Sequence, residues 1–426
     1  MKSQPIITTA IYALVVITIL PVDNQTAFGA VAELVRYALL LSLSALIILY
    51  AFVTRRLTIS LSAEWLLMIA FLSYMALSAL WSDGFLISMI KGMLILSAMM
   101  LSISLANIKQ MDGVLIVFYR CMCGFVVLSI LAVIFFPDIG IETGWEIAGD
   151  WRGIAGQKNG LGYVSALVFV AALSIPILGK TVRGYPPGAV MIRLAMVLIS
   201  AVCLVNSGSR GALLTAGVGL GSVMLARAPK LSQRVVLVMF FAFAIPLVNL
   251  TLPTLELSAD QIGVLGTTID TSNRTTLWFY GLDQLADREF FGFGVGGFWT
   301  PERMTTFRDT YGWVLDNFHN GYITILIEGG LVGLALLLTA IASIMLLFLV
   351  AVGNLKDAYL SVALGYTNMF LFGNLVENEI GRSTATTFIM FLATSFALRS
   401  YVTRLVARDA PEPARLVYGP AAFARQ

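Results

Sequence analysis

The segment Asp316–Gly330, DNFHNGYITILIEGG, carries His319, the only histidine among 426 residues. An imidazole with an ordinary pKa of about 6.5 can take a proton from an attacking hydroxyl. Other polar groups recur in short motifs along the chain. DWRGIAGQKNGLG holds Asp150, Arg152, Lys158 and Asn159. NSGSRGALL holds Asn206, Ser207, Ser209 and Arg210. SNRTTLW holds Arg274, FHN joins His319 to Asn320, and NLVENEIGR holds Glu377, Glu379 and Arg382. Arginine presents a planar fork of donors that matches phosphate oxygens. Two or three such forks hold a diphosphate and stabilise the charge that builds as it leaves. Each arginine can also be read as a lipid-headgroup anchor, and His319 as a capping or packing residue. Asn320 either orients the imidazole or caps the following helix.

Positioning these groups falls to helices in lipid. Hydrophobic residues make up 58% of the chain and charged residues 12%, with a mean hydropathy of +0.88. A soluble protein carries about 25% charge, so most of this chain faces lipid. A bilayer core needs about 20 apolar residues per helix, and about twelve runs meet that need. They lie near 6–22, 31–53, 63–81, 85–106, 113–136, 161–179, 190–206, 210–227, 235–252, 320–350, 357–376 and 383–401. The expected fold is an all-α polytopic membrane protein of about 12 spans, with a long helical loop between spans nine and ten. Residues 1–402 form a single transmembrane domain. Residues 403–426 form a basic tail expected to be disordered.

Lys and Arg concentrate in cytoplasmic loops. With the N-terminus inside, the larger share falls on that side, including Lys2, Arg55, Arg56, Lys109, Lys180, Arg183, Lys230, Lys356 and Arg404. Both termini are then cytoplasmic, and the first run is a retained anchor rather than a cleaved leader. The net charge of +3 follows from this topology and does not suggest nucleic acid. All five polar motifs fall on the opposite, outer face. The topology was set without them, so their common side is informative.

Two outer loops are long, about 137–160 and 253–318, and long loops tend to be functional. TSNRTTLWFYGLDQLADREFF predicts an amphipathic helix capped by Ser272 or Asn273. In GFGVGGF, Gly292, Gly294 and Gly297 match a dinucleotide-binding pattern by letter, but no strand precedes them, and a tight turn is the better reading. Trp145, Trp151, Trp278, Trp299 and Trp313 lie in these loops, Trp81 at an outer helix end, and Trp65 near the inner face. The lopsided set suits either an interfacial belt or indoles that stack on sugar rings. Trp278, Arg152, Lys158, Asn159 and Asn320 are therefore candidate substrate-binding residues.

Glu328 lies nine residues beyond His319, about 13 Å along a continuous helix and on its opposite face. An acid in a span is costly, and Gly329, Gly330 and Gly333 beside it favour close helix approach. A structural pairing with Lys91 or Arg120 is expected. Glu377 and Arg382 are also read as structural polar groups. Cys121, Cys123 and Cys203 sit in spans as packing thiols. With one histidine and no cysteine cluster, the sequence offers no metal site and calls for no cofactor.

One-sided arginines, one histidine and outer tryptophans fit glycosyl transfer from a lipid diphosphate to a sugar hydroxyl. Arg152, Arg210 and Arg274, with Lys158, are the candidate clamps for the diphosphate, and His319 the group that deprotonates or orients the acceptor. The four motifs FHNGYITILIEGGLVG, NSGSRGALLTAGVG, SNRTTLW with FFGFGVGGF, and WRGIAGQKNGLG together resemble the O-antigen ligase and Wzy-type polymerase superfamily. The last is similar to the segment that closes the first long loop of ExoQ-type exopolysaccharide polymerases. This resemblance implies inner-membrane enzymes that act without metal on undecaprenyl-diphosphate-linked glycans at the periplasmic face. It also implies diphosphate contacts for Arg210 and Arg274, and a base or acceptor-site role for His319. One departure is GQKN, where Gln157 stands in place of a histidine present in many relatives and cannot act as a base.

The expected function is polymerisation of exopolysaccharide or O-antigen repeat units. The alternatives are ligation of glycan to lipid A-core and, from a different class, a polysaccharide transporter or flippase. Transporters usually show repeated halves and midplane sites, and neither feature is visible here. The expected partners are the carrier-linked glycan, the bilayer, and a chain-length regulator or export complex.

Overall fold

The structure, a computed structural model, describes residues 4–19, 27–143, 147–177, 187–241, 262–264, 267–269, 274–312, 317–380, 382 and 385–409. A helix lies on every apolar run. α1 covers Gln4–Ile19, α2 Ala27–Val53, and α3 Ala63–Leu77, which continues as a 3-10 turn to Trp81. α4, Phe85–Phe135, is two helices that meet at Gln110, where φ 60° and ψ 173° break the helical path. The single turn α5, Pro137–Gly140, is followed by α6, Lys158–Ile177, α7, Pro187–Asn206, and α8, Arg210–Ala226. α9, Leu231–Met239, covers the start of the ninth run. Residues 242–261 lie outside the described set.

Among the described residues, five helical segments are long and apolar enough to cross a membrane: Val31–Val53, Ala63–Trp81, Phe85–Phe135, Gly321–Val350 and Thr386–Arg408. Ile6–Ile19, Lys158–Ser174, Val190–Asn206 and Arg210–Ala226 are shorter apolar helices. Leu34, Leu49, Phe52, Leu198 and Met224 are exposed on the bundle, as suits side chains that meet lipid rather than water. The chain is thus an all-α, multi-pass membrane protein. α4 is the central element and packs on α2, α3, α6 and the final helix.

Among the described residues of the long loop, the first element is a short antiparallel hairpin, β1 Ile262–Val264 with β2 Thr267–Ile269, which helix periodicity did not suggest. α10, Arg274–Gln284, is the expected loop helix, but its expected caps Ser272 and Asn273 lie outside the described residues. α11, Pro301–Tyr311, starts at Thr300, whose hydroxyl accepts from the Arg303 amide, and stops at the left-handed Gly312. Leu277, Trp278, Leu285, Phe293, Phe298 and Phe307 form a small core that closes on Phe318, Ile323 and Ile327. The last two belong to α12, Gly321–Val350.

α12 is not continuous. Gly330, at φ 65° and ψ −168°, interrupts it, and the glycine-rich turn fills the gap. The Leu331 and Val332 amides donate to the Glu289 and Phe290 carbonyls at 2.8 and 3.1 Å, while Phe293 and Gly294 donate to the Ile327 and Glu328 carbonyls at 3.0 and 2.8 Å. A Cβ on Gly330 would meet the Phe290 carbonyl oxygen at 2.3 Å, so the residue must be glycine on two counts. Gly292, Gly294 and Gly297 thus serve a turn that completes a helix.

Glu328 is 6% exposed and accepts from the Gly296 amide beside Lys91. Of the two cations considered for it, Lys91 is the neighbour, because Arg120 donates to the Tyr12 hydroxyl instead.

The last two helices are α13, Ala358–Gly373, and α14, Thr386–Asp409. α13 packs on α8, and α14 on α4. α14 continues beyond residue 402, so residues 403–409, expected in a disordered tail, are helical. Residues 410–426 lie outside the described set.

Candidate active site

Four helix N-termini converge on one turn, Asn374–Glu379, that follows α13. From α6, the Asn159 amide donates to Glu377 Oε1 at 3.1 Å. From α8, Gly211 lies against the Val376 side chain, 3.3 Å from where its own Cβ would stand, and Arg210 precedes it. From α10, Arg274 Nη1 donates to the Val376 carbonyl at 2.6 Å. From α12, the Gly321 amide donates to the carbonyls of Asn374 and Glu377 at 2.9 and 3.1 Å. Asn374 holds the turn itself, its Oδ1 accepting from the Glu379 and Ile380 amides. All five polar motifs meet here, although the chain distributes them over more than half its length.

His319 sits immediately before α12 with a φ of 48°. Positive φ is uncommon outside glycine, and such strain persists only where the surroundings over-determine it. Here they do. Trp278 Nε1 donates to the Phe318 carbonyl at 2.8 Å, the His319 amide donates to Asn317 Oδ1 at 2.9 Å, and the Gly321 amide is tied to the turn. The side chain is 25% exposed, and its Nδ1 lies 3.5 Å from Glu377 Oε2, on a carboxylate 7% exposed. Nδ1 is sealed from solvent, so the exposure of the side chain comes from the rest of the ring. At 3.5 Å the contact has an ion-pair distance rather than that of a short hydrogen bond.

Charge at the turn is uneven. Burial alone would raise the Glu377 carboxyl, but the His319 contact and the Arg274 and Arg382 guanidiniums outweigh it and hold it below the usual carboxylate range. Glu379 behaves oppositely. Burial lifts it above that range, more than Arg382 and the Thr387 hydroxyl lower it, and the Glu377 charge adds to the rise. Glu379 also lines a cavity of about 30 Å³ with Tyr163, Thr215 and Thr387.

The predicted site residues divide into two groups. Arg274, half-buried, and His319 border the same turn, and Arg210 is exposed at the start of α8, next to the Gly211 that lies against Val376. Lys158 and Arg152 are engaged in the first loop. Lys158 Nζ pairs with Asp150 at 2.7 Å. Arg152 donates to the Ile139 and Asp138 carbonyls at 2.8 and 3.1 Å and faces Glu142 at 3.6 Å.

Two assignments are corrected. Asn320 is fully buried, and its Oδ1 accepts from the Tyr322 and Ile323 amides at 3.0 Å, so it caps α12 and does not face a substrate. Trp278 is 8% exposed and closes the small aromatic core, its indole N–H spent on Phe318, so no face remains for a sugar. Trp299 packs among Phe298, Phe307 and Phe318. Trp145 and Trp313 lie outside the described residues.

Glu377, expected from the sequence as a structural polar group, is the acid that faces His319. The signal available was an acid in an outer turn with no cation at helical spacing, which implies a distant partner without naming it. Asn317 and Asn374 escaped notice because a turn-forming asparagine looks like any loop asparagine.

Chemically, the turn offers the Arg274 guanidinium, four helix N-termini with partial positive charge, and an imidazole that is 25% exposed. Helix N-termini of this kind suit an anion. Among the described residues, no three His, Cys, Asp or Glu side chains gather as metal ligands do. No curated protein matches the chain. Residues 195–338, which hold Arg210, Arg274, His319 and Glu328, match the family model for O-antigen ligase.

Proposed function

We propose that the protein is a membrane glycosyltransferase that moves a glycan from an undecaprenyl-diphosphate carrier to a sugar hydroxyl. The family's ligase- and polymerase-type glycan transfer supports the reaction class. The observation that carries the reading is the convergence of four helix N-termini, with Arg210, Arg274 and His319, on the Asn374–Glu379 turn. In the reaction, the acceptor oxygen forms a bond to the anomeric carbon, and its proton passes to His319 Nε2. The bond from that carbon to the diphosphate oxygen breaks, and the electron pair leaves with the carrier diphosphate. Arg210, Arg274 and the helix N-termini offset the charge that develops there. No metal enters this scheme.

The topology that accompanies this reading has about twelve crossings, both termini in the cytoplasm, and the site at the periplasmic face of the inner membrane. The similarity of WRGIAGQKNGLG to ExoQ-type enzymes favours polymerisation of repeat units over ligation to lipid A-core. The test is His319→Ala in a strain that makes the polymer. The expected result is loss of polymer at normal protein level, and normal polymer length and amount would sink the reading. The lipid-linked products separate the two acceptors. A polymerase variant accumulates single repeat units, and a ligase variant accumulates long chains still on the carrier.

A further inference from the structure

We infer that Glu377 is a positioning residue for His319, holding the imidazole as the Nδ1–H tautomer with Nε2 bare, and that Asn159 fixes Glu377 for this task. The inference rests on the proposed glycosyl transfer for its purpose, but its geometry stands independently.

Three observations converge. Glu377 Oε2 faces His319 Nδ1 at 3.5 Å, and that nitrogen is shut off from water. A buried ring nitrogen beside a carboxylate is best satisfied by carrying the proton and donating it. Catalytic hydrogen bonds are often long before substrate binds and shorten afterwards. The other carboxylate oxygen, Oε1, accepts from the Asn159 amide at 3.1 Å, so the carboxylate cannot rotate without losing that hydrogen bond. The backbones are also locked together, because Gly321 donates to the Glu377 carbonyl while His319 is held at positive φ. A turn and a helix entrance from distant parts of the chain are thereby fixed in register around one imidazole.

The consequence for chemistry is directional. A neutral imidazole has one donor and one acceptor nitrogen, and the partner of one sets the role of the other. With the proton on the buried Nδ1, the lone pair sits on Nε2, which is then the nitrogen able to take a proton from an acceptor hydroxyl. With the proton on Nε2, the ring could not take a proton there. Glu377 touches no substrate in this scheme and acts only through His319.

The sole histidine makes this testable without any substrate. The full chain, with isotope-labelled histidine and in lipid nanodiscs, gives one imidazole, and nitrogen NMR tells a protonated from a bare ring nitrogen. At about pH 8.5, above the ordinary imidazole value of about 6.5, the wild type is expected to carry its proton on Nδ1. In Glu377→Gln the Asn159 amide claims the new carbonyl oxygen, which turns the glutamine NH₂ toward Nδ1. The proton is then expected on Nε2, the kind of tautomer error that follows when a catalytic carboxylate becomes an amide. A wild type that is Nε2–H or a mixture overturns the inference, as does a variant with the wild-type tautomer. If Glu377→Gln does not fold, the wild-type spectrum alone decides. Normal polymer from His319→Ala would defeat the glycosyl-transfer reading and leave the tautomer result standing, so the two failures are distinguishable.

Discussion

Arg274 donates to the carbonyl of Val376 at 2.6 Å, so the first residue of α10 is bound to the turn that also carries Glu377. The guanidinium is thereby aimed by backbone rather than by another side chain. A carbonyl takes a hydrogen bond without neutralising the cation, and the nearby Glu377 carboxylate is the anion that feels the Arg274 charge.

Arg274→Lys is expected to reduce transfer by about 10²-fold or more, although the charge survives. An ammonium cannot bond Val376 and grip two phosphate oxygens at once, as a planar fork can. Arg210→Lys, at an exposed position, is expected to be milder. The rate of polymer formation in membranes at matched protein level measures both, and equal, small losses would contradict the assignment.

Gly321→Ala is expected to destabilise the fold by about 1–3 kcal/mol, the usual cost of overpacking. A Cβ there would stand 2.2 Å from Asn374 Oδ1, the atom that holds the turn together. Because the same glycine ties α12 to the turn, activity should fall further than stability. Thermal unfolding in detergent beside a transfer assay separates the two effects.

Glu379→Gln is expected to stabilise the protein at neutral pH, raising the apparent Tm by a few degrees. Its folded pKa lies above the ordinary value, so the folded state favours the neutral acid and loses stability as pH rises through that folded pKa. An amide removes this penalty and can still bond Thr387. The gain should vanish at acid pH, where the native carboxyl is already protonated. Glu377 has the opposite sign. Its folded pKa is depressed, so its contribution is present above the ordinary carboxyl value and is lost as pH falls through the folded one. Tm as a function of pH for each glutamine variant checks both signs.

Trp278→Phe is expected to keep the aromatic core but release the Phe318 carbonyl, costing about 1–3 kcal/mol for a buried polar group left unmatched. The left-handed backbone at His319 loses one of its three restraints, so transfer should drop as well. A rate unchanged alongside a clear loss of Tm would confine Trp278 to packing.

How far the sequence speaks differs by residue. Hydropathy located the helices because lipid demands long apolar runs whatever their packing partners. Arg210, Arg274 and His319 stood out because charge is rare in this chain, and their motifs keep local order. Asn320 was ambiguous because the same amide serves as a cap or as a ligand, and only the direction of its hydrogen bonds decides. Trp278 was misread because letters do not show which way an indole faces. The Glu377 partnership joins residues on different helices, and no local period encodes it. The break at Gly330 was hidden for a similar reason. Paired glycines in a span suggest close helix approach, and only tertiary docking reveals a missing stretch of helix.

That break also bears on biogenesis. Glu289–Gly294 emerge from the ribosome before Ile327–Val332, the segment they complete. Until the two meet, α12 carries unpaired backbone groups around Gly330, and each unsatisfied group costs several kcal/mol in hydrocarbon. The helix that presents His319 therefore becomes fully stable in the bilayer only when the preceding loop has folded onto it. On the proposed role of His319, the imidazole is then in place only after the loop has docked, so folding of the loop precedes activity.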